Sequence, residues 1–432
     1  AESSGLVFLK RRIFCLLILM LSALLSFTEV FEGLDNMLYS KAFVLKEKLF
    51  KKNKTSPIVQ IEISDAAIQN LPEGISVHAN LAQMFSVLNL YGTQIFFPSF
   101  IAESSSSLQR QKMLGAIQSG TNCLLPAAAV PKKIVPLLKE KESPSSEKSI
   151  EKYLWYPKVL NGKKLESIEQ LVLPSEDFCR FAKSLGIVAG KDDYDSDGVL
   201  RKISVFYSYK DAFIPSFAFA AATEVLQIQK ESILLDCGNV LSFKCLNGQE
   251  YKIPVDSKGR IYIPYSSAMN FTKLNFEYFA SSLSDTGIES TIESMLKDKT
   301  VFITDSTFCK IRGSENFVLT PQNAALAENK IQLLVLNAFL TNSFMKQYPF
   351  WATILTLLTL VLAVYFASFC KNSILFIILS LLTGAVFFCF EFFMFALKDY
   401  VPCFASAITI ISVCLITEIL FRIFNLKKEN YE

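Results

Sequence analysis

The residues with the most chemical potential lie in one short stretch, K-D-D-Y-D-S-D-G-V-L-R-K, residues 191–202. Asp193, Asp195 and Asp197 alternate and Gly198 follows, which is the D-x-D-x-D-G opening of an EF-hand calcium loop. The second half of such a loop does not follow. With Asp193 at position one, position nine is Arg201 and position twelve is Ser204, where calcium requires a bidentate Glu. Two other readings use the same residues. Short acidic side chains can bond their own backbone in a tight turn, with Gly198 supplying a positive φ. Alternatively, Asp195 or Asp197 pairs with Arg201 across the turn and fixes the strand that follows.

Other reactive side chains are sparse. His78 is the single histidine, which argues against a His-based metal site and against Ser-His-Asp or Cys-His catalysis. Of the ten cysteines, five lie in or beside apolar runs, and no C-x-x-C pair occurs. Cys237 and Cys245 flank C-G-N-V-L-S-F-K-C, and a hairpin in the right register would bring them together as a disulfide. No Walker A, G-x-S-x-G, H-E-x-x-H, G-x-G-x-x-G or kinase motif is present. The chain reads as a non-enzyme that needs no cofactor. A net charge of +3 does not point to nucleic acid.

The elements that must position these residues fall into a membrane part and a polar part. Hydrophobic residues make up 51% of the 432-residue chain. Lys10-Arg11-Arg12 precedes an apolar run over 13–31, read as an uncleaved anchor with residues 1–12 in the cytoplasm. Three further runs, 350–369, 374–397 and 401–421, are each long enough to cross a hydrocarbon core of roughly 30 Å. A short cytoplasmic tail, 422–432, ends the chain. Two carboxylates lie inside these runs. Glu418 has Arg422 at i+4. Glu391 has no such neighbour, and either snorkels to the outer interface or meets another helix.

Residues 32–345 then form an extracytoplasmic domain. It opens with a roughly helical segment over 33–50, read as a stalk leading out of the membrane. Strands at 58–63, 93–97 and 121–125 alternate with helices at 77–90 and 108–118, which reads as successive βαβ units. A helix over 175–185, a strand over 199–207 and a helix over 214–227 follow. Two short strands, 251–255 and 260–265, are joined by the turn D-S-K-G. A last strand at 300–304 and a last helix at 325–339 lead into the membrane block. The expected fold is α/β, a mostly parallel sheet flanked by helices, with four transmembrane helices, one N-terminal and three C-terminal.

D-S-D-G-V-L-R-K-I resembles the D-x-D-G-v-x-R-r-v signature of CHASE2 domains, extracytoplasmic sensor modules of bacterial signalling receptors. Further pieces follow in that family's order: residues 58–71, F-A-K-S-L-G-I-V at 181–188, I-P-S-F-A-F-A-A-A at 214–222, I-P-V-D-S-K-G-R-I-Y-I-P-Y at 253–265 and L-K-D-K-T-V-F-I-T at 296–304. The one-plus-three arrangement of spans is also the family's. Several of its positions differ here: L-P-E-G-I-S-V-H replaces the usual Trp-Pro and Arg, and Thr304 replaces a Gly. If relatives hold a ligand at these motifs, the candidates in this chain are Glu62, Asp65, Asp195, Asp197 and Arg201. The resemblance implies a membrane-anchored sensor. Relatives carry an output module after the last span, so signalling here is expected to pass to a separate cytoplasmic partner. The alternative is a non-signalling structural or assembly protein that contacts other envelope proteins. The implied surroundings are a bacterial inner membrane and its lipid bilayer, with a homo-dimer as a possible assembly.

Overall fold

The computed structural model describes residues 32–50, 54–63, 77–96, 107–119, 123–129, 150–169, 171–174, 176–188, 193–265, 269–276, 292–297, 299–305, 317–321, 325–348, 350–367 and 373–402, with isolated positions in 13–20 and 404–416. The chain divides into two compact units, Lys52–Phe344 and the pair of segments Ala1–Lys51 and Met345–Glu432. The latter contains the first helix, α1 (Glu32–Leu49).

Lys52–Phe344 is built on a parallel sheet. β1 (Lys54–Ile63), α2 (Val77–Leu90), β2 (Gln94–Phe96), α3 (Ser107–Ser119) and β3 (Cys123–Ala129) alternate along the chain as their hydrophobic periods require. Next come β4 (Lys158–Leu160), β5 (Ser167–Ile168), β6 (Leu171–Val172), α4 (Glu176–Phe181) and β7 (Ser184–Ile187). The chain continues through β8 (Lys202–Ser204), β9 (Phe206–Tyr209), β10 (Ala212–Pro215) and α5 (Phe217–Leu226). Then follow β11 (Leu234–Asp236), β12 (Val240–Lys244), β13 (Glu250–Pro254), β14 (Arg260–Tyr262), β15 (Met269–Asn275) and β16 (Thr300–Asp305). β17 (Phe317–Leu319), β18 (Ala325–Ala327) and α6 (Glu328–Thr341) complete the unit.

The central order is β15-β1-β16-β2-β3-β7, all parallel, with β6 antiparallel on β3. Side chains alternate across the sheet. Val59, Ile61, Val301 and Ile303 face a core shared with Phe85 of α2 and Ile117 of α3. Each such buried side chain contributes roughly 2–3 kcal/mol. The other face carries α5 and α6. The βαβ expectation therefore holds, with one difference: β16 lies between β1 and β2, although it follows both by roughly two hundred residues or more. Local periodicity carries no information about such a long-range insertion.

Several expected elements differ: the helices expected over 214–227 and 325–339 begin as the strands β10 and β18 before α5 and α6 start. The helix expected over 175–185 is α4 followed by the strand β7. β7 is buried throughout and pairs with β3, so its leucine and isoleucine carry no helical face. The strand expected over 199–207 breaks into β8 and β9, which belong to different sheets. The D-S-K-G turn is present, but β13 pairs with β12 while β14 pairs with β8.

Beyond α6 lie α7 (Phe350–Ala367) and α8 (Ser373–Lys398). Among the described residues one helix, Ile374–Lys398, is long and apolar enough to cross a membrane; the apolar part of α7, Trp351–Phe366, is shorter. The runs expected at 13–31 and 401–421 fall largely outside the described residues. α1 is no isolated stalk. Its Tyr39 and Phe43 pack on Phe395 of α8, and Lys46 Nζ donates to Asp399 Oδ1 at 2.6 Å and to the Phe395 carbonyl at 3.0 Å. A cation there meets the negative end of the α8 dipole.

Gly186 of β7 sets the distance between sheet and helix. A Cβ at that position would stand 2.8 Å from the Phe217 nitrogen at the start of α5, with Phe217 Cα nearer still. Gly186→Ala is expected to destabilise the protein by roughly 3 kcal/mol, since backbone atoms cannot move aside as a side chain does. Gly115→Ala, in α3 with open space around its Cβ, is expected to be neutral or to gain up to about 1 kcal/mol. Thermal unfolding of the two full-length variants checks the contrast. Equal melting temperatures would remove the role given to Gly186.

Candidate functional site

Two turns of like sequence meet in the middle of Lys52–Phe344. The first is the acidic loop. Tyr194 and Leu200 form an antiparallel bridge, and the Asp195 N–H donates to the Val199 carbonyl at 3.1 Å. Gly198 takes φ +75, and Asp197 Oδ1 accepts the Val199 N–H at 3.1 Å. The turn aims both acids at Arg201. Its Nη1 donates to Asp195 Oδ2 and Asp197 Oδ1, both at 2.9 Å, and its Nη2 donates to Asp197 Oδ2 at 2.7 Å. Arg201 is only 2% exposed.

The second turn is the D-S-K-G-R segment. Asp256 Oδ1 accepts the N–H groups of Lys258 and Arg260, both at 2.9 Å, and Oδ2 accepts Arg260 Nε at 2.9 Å. Lys202 Nζ stands 3.4 Å from the same Oδ2 and lies over the Tyr262 ring. Pairing of β8 with β14 brings the turns together, and Arg260 Nη1 comes within 3.9 Å of Asp195 Oδ1. The result is an alternating chain of charges: Asp197, Arg201, Asp195, Arg260, Asp256, Lys202. Sequence reasoning singled out the first turn and missed Arg260, Asp256 and Lys202. A signal was available, because both turns place Asp four residues before Arg, Asp197 to Arg201 and Asp256 to Arg260.

Of the readings of this loop, the contacts match the pairing of Asp195 and Asp197 with Arg201 and not the calcium one. The oxygens of Asp195 and Asp197 are directed at Arg201, and Asp193 turns elsewhere. Asp193 Oδ1 accepts the Ser204 N–H and hydroxyl at 2.7 and 2.6 Å, and Oδ2 accepts the Tyr207 hydroxyl at 2.6 Å. Among the described residues no group of three or more His, Cys, Asp or Glu could hold a metal ion. The hydrogen bond from Arg201 holds the Asp197 carboxyl below its ordinary value. Burial pushes Asp256 up, but Lys202 and Arg260 outweigh it and hold it below. Burial disfavours charge on Arg201 and Arg260 as well, and their carboxylate partners more than compensate. This arrangement fixes backbone: Arg201 also gives its carbonyl to the Ile263 N–H, and the Tyr265 hydroxyl donates to the Leu200 carbonyl.

The other sequence candidates are dispersed. Glu62, near the carboxyl end of β1, pairs with Lys330 of α6 at 2.6 Å. Beside it Gln60 Nε2 donates to Thr304 Oγ1 at 2.9 Å, and at the opposite end of β1 the Ser56 hydroxyl donates to Asn337 Oδ1 at 2.7 Å. α6 thus runs antiparallel to β1 over a polar seam. Glu391 is buried at 2% exposure, so it lies on the packed side of α8 rather than on its exposed side. Asp65 and Glu418 lie outside the described residues. Cys237 and Cys245 are both free, so the candidate disulfide is not formed. They flank opposite ends of the five-residue β12, roughly 20 Å apart at about 3.3 Å per residue, whereas a disulfide needs Cα atoms within about 7 Å. Burial pushes the Cys237 thiol up to about 11.

A family profile described as CHASE2 domain matches residues 14–368. No curated protein and no solved structure matches the chain.

Removing Arg201 strands the buried carboxylate of Asp195. Arg201→Met is therefore expected to cost roughly 3–5 kcal/mol, and Arg201→Lys to recover little, because one ammonium cannot bridge two carboxylates as a guanidinium does. Stability should also depend on acid. Asp197 and Asp256 are held low when folded, so their contribution is present above about pH 4 and is lost as pH falls through the lowered folded values. Melting temperature followed from pH 7 downward checks this. Asp256→Asn should flatten the acid limb, and an unchanged limb would contradict the assignment.

Proposed function

This chain belongs to the CHASE2 domain family, and from that premise we propose that it is a multispan sensor of the bacterial inner membrane. CHASE2 is an extracellular sensory domain family. In the finer reading, Lys52–Phe344 lies outside the cytoplasm and takes a ligand. Four helices cross the bilayer, one before that unit and three after it. Signal leaves through helix movement to a separate cytoplasmic partner, with no chemistry performed on the ligand.

The observation that carries the reading is the polar seam between β1 and α6. Open parallel sheets bind ligands outside the carboxyl ends of their strands. In this sheet that end of β1 presents Glu62, with Gln60 and Thr304 beside it, under Lys330. A ligand competing for Lys330 or Glu62 changes what holds α6 on the sheet. α7 begins at Phe350, nine positions after α6 ends at Thr341. Ligand occupancy and the register of the helix leading to the membrane segments are then one equilibrium.

A second reading, a non-signalling envelope assembly protein, is favoured by a separate observation. The signature acids and arginines are taken up in internal pairs. Co-purification of envelope assembly proteins alone, with no signalling protein, would favour it.

The test is a ligand panel scored by thermal shift on the full chain in nanodiscs. Glu62→Gln and Lys330→Met are expected to abolish the ligand-dependent shift while lowering basal stability by no more than about 1 kcal/mol, as befits a partly exposed pair. A shift that survives both substitutions would place the ligand elsewhere.

A further inference from the structure

The exposed residues of α1 fall on one stripe. Gly33, Met37, Lys41, Leu45, Lys48 and Leu49 recur at the spacing of a single helix face. Asp35 and Glu47 lie off that stripe when the helix is turned at 3.6 residues per turn. The stripe therefore joins three large apolar side chains to two ammonium groups with no carboxylate among them.

The opposite face is taken up by α8, and the contacts fix the direction of α1. Tyr39, Phe43 and Lys46 span two turns of α1, yet all three meet Phe395. Phe50 meets Phe392 and Phe393. A helix lying alongside α8 would meet a new turn of it with each of its own turns. α1 meets the same short stretch repeatedly, so it crosses α8 steeply. The crossing is where the apolar run of α8 gives way to Lys398 and Asp399. Tyr348 and Tyr400 stack beside it, 4.8 Å between ring centres, and the Lys346 N–H donates to the Asp399 carbonyl. Tyrosine and charged residues of this kind gather at the boundary between hydrocarbon and water.

We propose that the exposed face of α1 is a docking surface for anionic phospholipid. Met37, Leu45 and Leu49 enter the edge of the acyl region, and Lys41 and Lys48 reach up to headgroup phosphates. The proposal rests on the reading of α8 as a membrane span: a helix that crosses a span steeply at its polar end lies along the bilayer surface. The Lys46–Asp399 pair keeps it there, with the stripe turned away from α8.

The test uses the full chain in nanodiscs, with the photo-crosslinking residue p-benzoylphenylalanine placed in turn at positions 45, 49, 382 and 252. Leu382 is an exposed position of α8, and Lys252 is an exposed position of β13 in the other unit. Phospholipid adducts are expected at 45, 49 and 382 and absent at 252. Yield at 45 should rise at least threefold when phosphatidylcholine is replaced by phosphatidylglycerol. Lys41→Glu with Lys48→Glu should remove that rise while leaving the melting temperature unchanged. Adducts at 382 but not at 45 or 49 would overturn the proposal and leave the membrane reading of α8 standing. No lipid adduct at 382 would overturn both. Adducts at 45 to a second copy of the chain would assign the face to a dimer instead, and equal yields in the two lipids would overturn the anionic preference.

Discussion

Arg201 is a permanent positive charge with almost no access to water, and much of the middle of the domain is arranged to make that tolerable. Its guanidinium is planar and presents parallel donors. Two carboxylates from one tight turn meet it, Asp195 from inside and Asp197 from the solvent side. Asp195 is then shared with Arg260, which belongs to a second turn more than fifty residues later. The buried members, Arg201, Asp195 and Arg260, each depend on the next for a partner charge. The two turns, and the strands β8 and β14 that they start or join, must therefore form together. Apolar contacts are non-directional, whereas a buried ion chain requires particular donor and acceptor geometry. The network's contribution is to specify a single arrangement.

Much of this was legible in the sequence, and the reasons for what was not are physical. The alternation of β1, α2, β2, α3 and β3 is local, and each segment shows its own period. β16 has the same strand composition, but its place between β1 and β2 depends on a partner well over two hundred residues away. β7 was hidden because a short, wholly buried parallel strand has no alternation to show. The acidic loop is marked by its composition, and its pairing with Arg201 is legible from the four-residue spacing of Asp197 and Arg201. Its second half, Asp256 and Arg260, was visible as a repeat of the same four-residue spacing but carried no acidic cluster to draw notice. Cys237 and Cys245 are close in sequence and far apart in space because five residues of extended strand separate them.

The two faces of the sheet differ in kind. One is closed by aliphatic and aromatic packing under α2 and α3, which resists displacement by its density. The other pairs Ser56, Gln60 and Glu62 of β1 with polar groups of β16 and α6. Gln332 of α6 also caps α5, accepting the Ala218 N–H at 2.8 Å. Hydrogen bonds of this sort are directional and can be exchanged for bonds to another donor. α6 thus adds exchangeable polar contacts to a buried apolar side that includes Ile331, Val335 and Phe339, whereas α2 packs into the aliphatic core of the opposite face.

The antiparallel course of α6 along β1 has a mechanical consequence. The strand begins and the helix ends at the same edge, where the Ser56 hydroxyl donates to Asn337. A load applied between the two chain connections therefore falls first across the interface of β1 with α6, at the edge marked by Ser56 and Asn337, rather than along the ladders that join β1 to β15 and β16.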